Sequence, residues 1–527
     1  MESIRLAVYR GKKATGEVSD LVNDAALGAP LSATIDGIVC KLWVTTHTGG
    51  RPSWVDTFAT LFGVDPSQLL PNPPRSVSGL AWLTGNHGDF AVTFGHAWQK
   101  VKRESADPSF GIRCVLNLCD HDSLRAIKRD RMTTEFVQVM EQSPENTGIN
   151  RFGIDTEADM LKGVKASVDP VHGFGTAVSG TDSFHCAWDA STLTLENFLR
   201  EIVTLGASTK YKKRFDWIDF ITPIREPTEI VPLDHAAVGA INQANSTFRL
   251  HPPGFSQWDD YDHFVFGRLT KSPVKDQLTL PSWKHYFQGK VATTSNQPVL
   301  VSDLKEQWIH AIDEAYPSRS VRWRVYDCIY GTIQLPSGTF MLHESNWYRL
   351  AVDYVARVDA ALAKAPSLTG GSKLPLCHSN EHEADYNRRV ARSSKRSIQL
   401  FDRKIIPHGG PTSKFEFCDL LGDNMTIYCV KRWASSAGIS HLARQAVNTC
   451  KLLRGDEDFV RKVDGRLKGN HRANWTRVKN RSTKATVALV IMGCKSVKDL
   501  PFFSRMTLSD AIRQIQTLGF DVAFDWV

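Results

Sequence analysis

Lys414-Phe415-Glu416-Phe417-Cys418-Asp419, followed by Tyr428-Cys429-Val430-Lys431-Arg432, is the stretch on which the reading of this chain turns. It predicts two adjacent strands, one ending in an acid and the next in a lysine. Side chains alternate along a strand, so Phe415, Phe417 and Asp419 are expected on one face. By the same rule Ile427, Cys429 and Lys431 share a face of the partner. Gly422-Asp423-Asn424 supplies turn chemistry for a hairpin. Pairing then brings a carboxylate and an ammonium to one end of a sheet. A metal-dependent phosphodiesterase needs that arrangement: an oxygen ligand for the cation and a positive group near the attacked phosphate.

Working outward, a helix is expected over 381–396 and a strand over 397–406. Strands at 414–421 and 425–433 follow, then a helix capped by Ser440 and running to about Leu453. A second helical piece covers 459–467, an apolar strand 485–492, a helix 508–518 and a closing strand 520–527. This order predicts one mixed sheet with helices on both faces.

Upstream, strands are expected at 4–9, 35–45 and 112–117, a short helix at 53–61, and a hairpin joining 79–83 to 90–94. The residues from Leu124 to Ile127 read as the start of a polar connection, and 141–225 as a looser region with one helix over 195–205. Further on, 324–330 and 338–343 read as a hairpin, 351–362 as a helix, and 367–372 as a linker. The expected fold class is α/β (α+β overall) and multi-domain. Residues 1–225 form a mixed N-terminal domain that senses or docks a protein partner, 226–375 a middle segment, and 376–527 a basic nuclease-like domain.

Bulk properties bound the function. The chain has 527 residues, 42% hydrophobic and 23% charged, as in a soluble globular protein of two to four domains. No apolar run is long enough to span a bilayer. The N-terminus lacks the basic start and apolar core of a signal peptide. Ten scattered cysteines predict buried, reduced thiols in a cytoplasmic protein. Net charge is +8, and residues 381–490 hold 22 Lys/Arg against 11 Asp/Glu, so the basic excess surrounds the acid–lysine pair. A localised positive field suits a polyanion, most simply DNA or RNA.

Asp419, Lys431, Glu383 and Gln445 resemble the motif residues of the PD-(D/E)XK nuclease superfamily, the restriction-endonuclease-like fold. The resemblance implies that Asp419 and the helical acid Glu383 hold Mg²⁺ or Mn²⁺, with Glu416 as a further oxygen donor. Lys431 then acts beside the attacked phosphate, and Gln445 follows in the next helix, as in the RecB-like branch. One position departs: the acid normally two residues before the lysine is Cys429, which is not a natural ligand for a hard cation. Gln445 and His441, four apart, share a helix face that either lines a nucleic-acid groove or decorates the surface. Arg432, Arg444 and Arg472 complete the expected nucleic-acid contacts.

The chain also resembles a bacterial "sporadically distributed" family of unknown function, found beside mobile elements and defence genes. The carrying phrases include Asp89-Phe90-Ala91-Val92-Thr93-Phe94-Gly95, Phe215-Asp216-Trp217-Ile218-Asp219, Glu416-Phe417-Cys418-Asp419-Leu420-Leu421 and Pro501-Phe502-Phe503-Ser504-Arg505. This resemblance implies a role in conflict with phage or foreign DNA. The expectation is a metal-dependent nuclease, with a catalytically inactive nucleic-acid-binding or scaffold protein as the alternative.

Other groupings carry less chemistry. Cys377, His378 and His382 lack a second ligand pair for zinc. Asp259, Asp260, Asp262 and His263 read as an exposed acidic loop. Trp54, Trp82, Trp98 and Trp217 read as core residues.

Overall fold

A computed structural model describes residues 3–48, 53–70, 72, 75–120, 122–132, 137–243, 246–253, 263–267, 278–292, 294, 297–312, 321–394, 397–402, 405–407, 414–433, 436–479 and 484–527. Asp259, Asp260 and Asp262 lie outside them, as does the side chain of Trp54. The architecture is mixed α/β in several sheets, divided between two compact units. One comprises Met1–Asp130 with Gln138–Ile218, the other Arg131–Val137 with Asp219–Val527.

The first unit is built on a ten-stranded sheet. Its spatial order is Leu31–Ile35, Ile38–Thr48, Arg75–Gly85, Gly88–Phe94, Ile4–Arg10, Ser183–Trp188, Ala177–Gly180, Asp159–Ser167, Leu124–Arg131 and Val137–Thr147. The expected hairpin at 79–94 is present, in register from Gly79 opposite Phe94 to Gly85 opposite Gly88. The strand expected at 35–45 is present as Ile38–Thr48, but it starts later, because Asp36 and Gly37 take positive φ, 51° and 77°, and form the two-residue turn of a hairpin with Leu31–Ile35.

Three expectations for this unit are corrected. Residues 112–117 lie in a helix, Phe110–Leu118, not a strand. A short apolar run fits either period, and here Ile112, Val115 and Leu116 are buried together at helical spacing. The connection begun at Leu124 is the strand Leu124–Arg131. The looser region contains four strands as well as the helix Leu195–Ala207, whose cap Thr194 accepts from the Asn197 amide at 3.3 Å. Val137–Thr147 gave little strand signal because it is a polar outermost strand containing Pro144, a composition suited to an unpaired edge.

The second unit holds two sheets upstream of the C-terminal one. Ile221–Pro223, Asn346–Leu350, Gly338–His343, Ile329–Leu335 and Arg249–Leu250 form one, and His263–Phe266, Trp308–Ile312 and Val321–Arg324 the other. The hairpin partner of Gly338–His343 is therefore Ile329–Leu335, and the stretch expected as one strand from Arg324 is divided between sheets. Asp234 is buried here, accepting from Tyr326 at 2.6 Å, Trp347 at 2.8 Å and Lys305 at 2.6 Å.

The C-terminal sheet runs Ile398–Leu400, Leu420–Gly422, Thr426–Arg432, Thr486–Met492, Asp521–Trp526. The first three strands are antiparallel and the last three parallel. The helix Glu383–Ser393 buries Tyr386 and Val390 against Leu420, Tyr428, Val430, Ala488 and Val490. The helix Ser436–Gly455 lies against the same central strands, with Ser440 inside it and 4% exposed. Ser440 is thus a buried interior residue, not the cap. The run 367–372 is tied to this sheet, with Leu368 N donating to Phe524 O at 2.7 Å and the Tyr428 hydroxyl to Ser372 O at 2.8 Å.

All ten cysteines are free, and eight are buried. Trp82 and Trp217 are core residues, whereas Trp98 is 40% exposed. Among the described residues, no helix is long and apolar enough to cross a membrane.

The helix Phe110–Leu118 approaches the sheet so closely that a Cβ on Gly111 would sit 1.9 Å from Ser183 O. Gly111→Ala is expected to destabilise the first unit by at least the roughly 1–3 kcal/mol of an overpacked core. Thermal unfolding of the variant checks this; an unchanged midpoint contradicts it.

Candidate metal centre

The strand expected to run unbroken through 414–421 is interrupted. Lys414–Glu416 pairs with Ile405–Pro407 in a small separate sheet, and Leu420–Gly422 opens the next strand. Between them Phe417 turns inward, its ring 5.3 Å from Phe401 and 5.9 Å from Trp475. The Phe417 carbonyl accepts from the Thr449 hydroxyl at 2.6 Å. Phe415 and Phe417 still meet one ring, that of Phe459, at 5.8 and 6.3 Å, whereas Asp419, positioned by the break, groups with Glu416 instead of with them.

Asp419 is fixed by four backbone hydrogen bonds. Its N–H donates to Tyr428 O at 3.0 Å, and its carbonyl accepts from Phe401 N at 2.8 Å and Asp402 N at 2.9 Å. Its carboxylate accepts from Val430 N at 2.8 Å. The carbonyl bonds draw Asp402 alongside, and the small sheet delivers Glu416. Asp402, Glu416 and Asp419 each offer an oxygen within 4.8 Å of the others. Three carboxylates at this separation are hard-donor chemistry, suited to Mg²⁺ or Mn²⁺.

Electrostatics mark the same place. Burial pushes the Asp419 carboxyl from 3.8 up to about 8, and the charges of Glu416, Glu383 and Asp402 add to the rise. The amide of Val430 pulls the other way without compensating. Cys429, in the position of the acid missing from the motif, is fully buried, and burial drives its thiol far above the ordinary value. It offers neither charge nor a hard oxygen.

Lys431 and Glu383 meet, with Nζ 2.9 Å from Oε1. The other Glu383 oxygen accepts from Arg432 N at 3.3 Å, and Arg432 Nε donates to Glu381 O at 3.0 Å. Glu383 thus orients the lysine and its neighbour, while the three-carboxylate cluster is made by Asp402, Glu416 and Asp419. Arg389 holds Glu381 well below the usual carboxylate range, at about 2, so this corner keeps its charge.

The expected nucleic-acid contacts divide. His441, Arg444 and Arg472 are exposed, and Arg432 is half-buried. Gln445 is 8% exposed and its amide nitrogen has no hydrogen-bond partner among the described residues. It lies one helical turn before Thr449, so it faces the Phe417–Asp419 segment rather than open solvent. Asp402 was not expected. Its signal in the sequence is faint: an acid directly after an apolar strand end, in Leu400-Phe401-Asp402.

These features define a mixed α/β multi-domain protein with an acid-lined corner on its C-terminal sheet. The chain belongs to the family described as "Family of unknown function (DUF6119)", whose match covers residues 6–527. No curated protein matches it.

The raised Asp419 carboxyl has a signed consequence. The folded chain retains a proton that the unfolded chain releases near pH 4, so this group's contribution to stability is lost as pH rises through about 8. A divalent cation held by these acids would displace that proton, and calorimetry at pH 7 in buffers of different ionisation enthalpy is then expected to show release of about one proton per ion. Asp419→Asn should abolish the release. Proton-neutral binding by the native chain contradicts the assignment.

Proposed function

We propose that this protein is a metal-dependent nuclease-like enzyme that acts on DNA or RNA, with Asp402, Glu416 and Asp419 as its cation ligands. The observation that carries the reading is the convergence of a buried, backbone-clamped carboxylate with two further acids. Lys431, on the adjoining strand, pairs with Glu383 from the first turn of the helix Glu383–Ser393. The α-β-β-β-α order, with the acid directly before one strand and the lysine on its neighbour, is also the order implied by the restriction-endonuclease-like resemblance.

A bound Mg²⁺ or Mn²⁺ supplies Lewis-acid polarisation of the phosphoryl group. The chain's own residues do the rest. Lys431, held by Glu383, contributes positive charge where negative charge develops on phosphorus. Glu383 acts as a positioning residue, with both oxygens engaged. The exposed Arg444, His441 and Arg472 hold the phosphate backbone. The proposed setting is cytoplasmic defence against phage or mobile elements, which rests on the resemblance to the sporadically distributed family.

Cys429 favours a second reading. A buried neutral thiol at the motif's acid position fits a domain that binds nucleic acid and does not cut it. The two separate in one assay. Native protein with Mn²⁺ is expected to nick plasmid DNA or cleave RNA, and EDTA stops it. Lys431→Ala should lower the rate at least a hundredfold with the far-UV spectrum unchanged. Salt-sensitive binding without metal-dependent cleavage supports the second reading and overturns the first.

A further inference from the structure

Cross-strand partners in a sheet point to the same face. In the first unit Tyr9 lies opposite Ser183, Ala7 opposite His185 and Arg5 opposite Ala187. His185 in turn lies opposite Ser179, and Ser179 opposite Lys165. These residues therefore share one face. Phe184 points the other way, its ring 5.5 Å from Phe174, which meets Phe198 of the helix Leu195–Ala207.

Half of the Tyr9 face is closed: Trp43, Leu80, Trp82 and Ala91 are buried with Val18, Leu21, Ala97 and Val101. The other half is an open trough of two lobes, about 670 and 1020 Å³, which share Lys165, Ser179, Thr181 and His185. Its floor is small, with Ala7, Ala177, Ala187 and Gly163. Its charge is one-sided. Arg5, Arg103, Arg125, Lys128 and Lys165 line it, against Asp182 as the single acid among its described lining residues.

This bias is not inherited from composition. Residues 1–218 carry 23 Lys/Arg and 25 Asp/Glu. Arg5 and Lys165 are exposed, and neither makes an ion pair among the described residues. Arg103 reaches Asp182 at 3.6 Å and lies 5.3 Å over the ring of the exposed Trp98. From the strand of Arg5 to the strand of Arg125 is four strand spacings, about 19 Å. The two lobes together exceed the roughly 300–1,000 Å³ of a small-molecule pocket, so the cations are spread along an extended site.

We propose that this trough binds a single-stranded segment of nucleic acid through its phosphates. Cations along a groove, with a small floor and an exposed aromatic at one end, are what a single strand requires. Duplex readout instead calls for a helix or ribbon seated in a groove, whereas the trough is lined by strands and by the two short helical turns that carry Trp98 and Arg103. The trough shares no residue with the Asp419 centre, and binding there does not depend on cleavage at that centre.

The test is fluorescence anisotropy of the full chain with labelled 12-nucleotide DNA and RNA strands, in EDTA, across a salt series. Arg5→Glu with Lys165→Glu is expected to weaken binding at least tenfold. It should also reduce the slope of log affinity against log salt by about 1.4, from two lost phosphate contacts at about 0.7 each. Arg5→Gln with Lys165→Gln should change both in the same direction, which guards against misfolding of the reversed variant. Ultraviolet cross-links are expected in peptides containing Trp98 and His185. Unchanged affinity and slope in both double variants, or cross-links confined to 376–527, overturns the proposal, and so does binding of mononucleotides without binding of the strands.

Discussion

The backbone clamp on Asp419 is the constraint from which the C-terminal site follows. One residue breaks the strand, donates its amide to the Tyr428 carbonyl, gathers the amides of Phe401 and Asp402 on its carbonyl, and accepts from Val430 N on its carboxylate. Each bond also fixes something else. The Phe401 and Asp402 bonds set where the second acid stands, and the Val430 bond ties the carboxylate to the residue before Lys431. The aromatic contacts of Phe417 with Phe401 and Trp475 and the Thr449 hydroxyl bond hold the break open from behind.

A clamp of this kind costs stability without a counter-ion. Buried carboxylates that share a space repel, and the protein answers by keeping Asp419 protonated near neutrality. Lys431 does not relieve the crowding, because its ammonium is engaged by Glu383. Electrostatic strain that a chain does not neutralise with its own residues is common at functional sites. Here the donors are all oxygen, which narrows the complementary charge to a hard cation. Position 429 carries no acid, and the carboxylates that stand beside Asp419 come from elsewhere in the chain. The small sheet Ile405–Pro407 and Lys414–Glu416 brings Glu416, and the end of Ile398–Leu400 brings Asp402, so the oxygen set is assembled from other strands.

Much of this was legible in the sequence because period-two alternation and turn residues are local signals. The Gly422-Asp423-Asn424 turn, the apolar central strand Thr486–Met492 and the pairing of the acid and lysine strands all follow from them. What was not legible depends on non-local contacts. Nothing near Asp419 announces that the amides of Phe401 and Asp402 will gather on its carbonyl, so its place beside Glu416 cannot be read from period-two alternation. Asp402 joins the site only because its strand returns beside Leu420–Gly422. The run at Ile112 satisfies helix and strand alike, and only the close approach of Gly111 to Ser183 decides it. Ser440 has the chemistry of a cap, yet the helix begins four residues earlier and buries it. Gln445 carried a signal for the right neighbourhood, but as a buried amide rather than an exposed contact.

The central claim is that Asp402, Glu416 and Asp419 together hold one divalent cation. Anomalous diffraction from crystals soaked in Mn²⁺ at pH 8 tests it most directly. The account predicts a single strong peak within about 2.0–2.6 Å of oxygens from Asp419 and at least one of the other two acids. A map with no peak at that corner, beside an Asp419 whose position is unchanged, would contradict it.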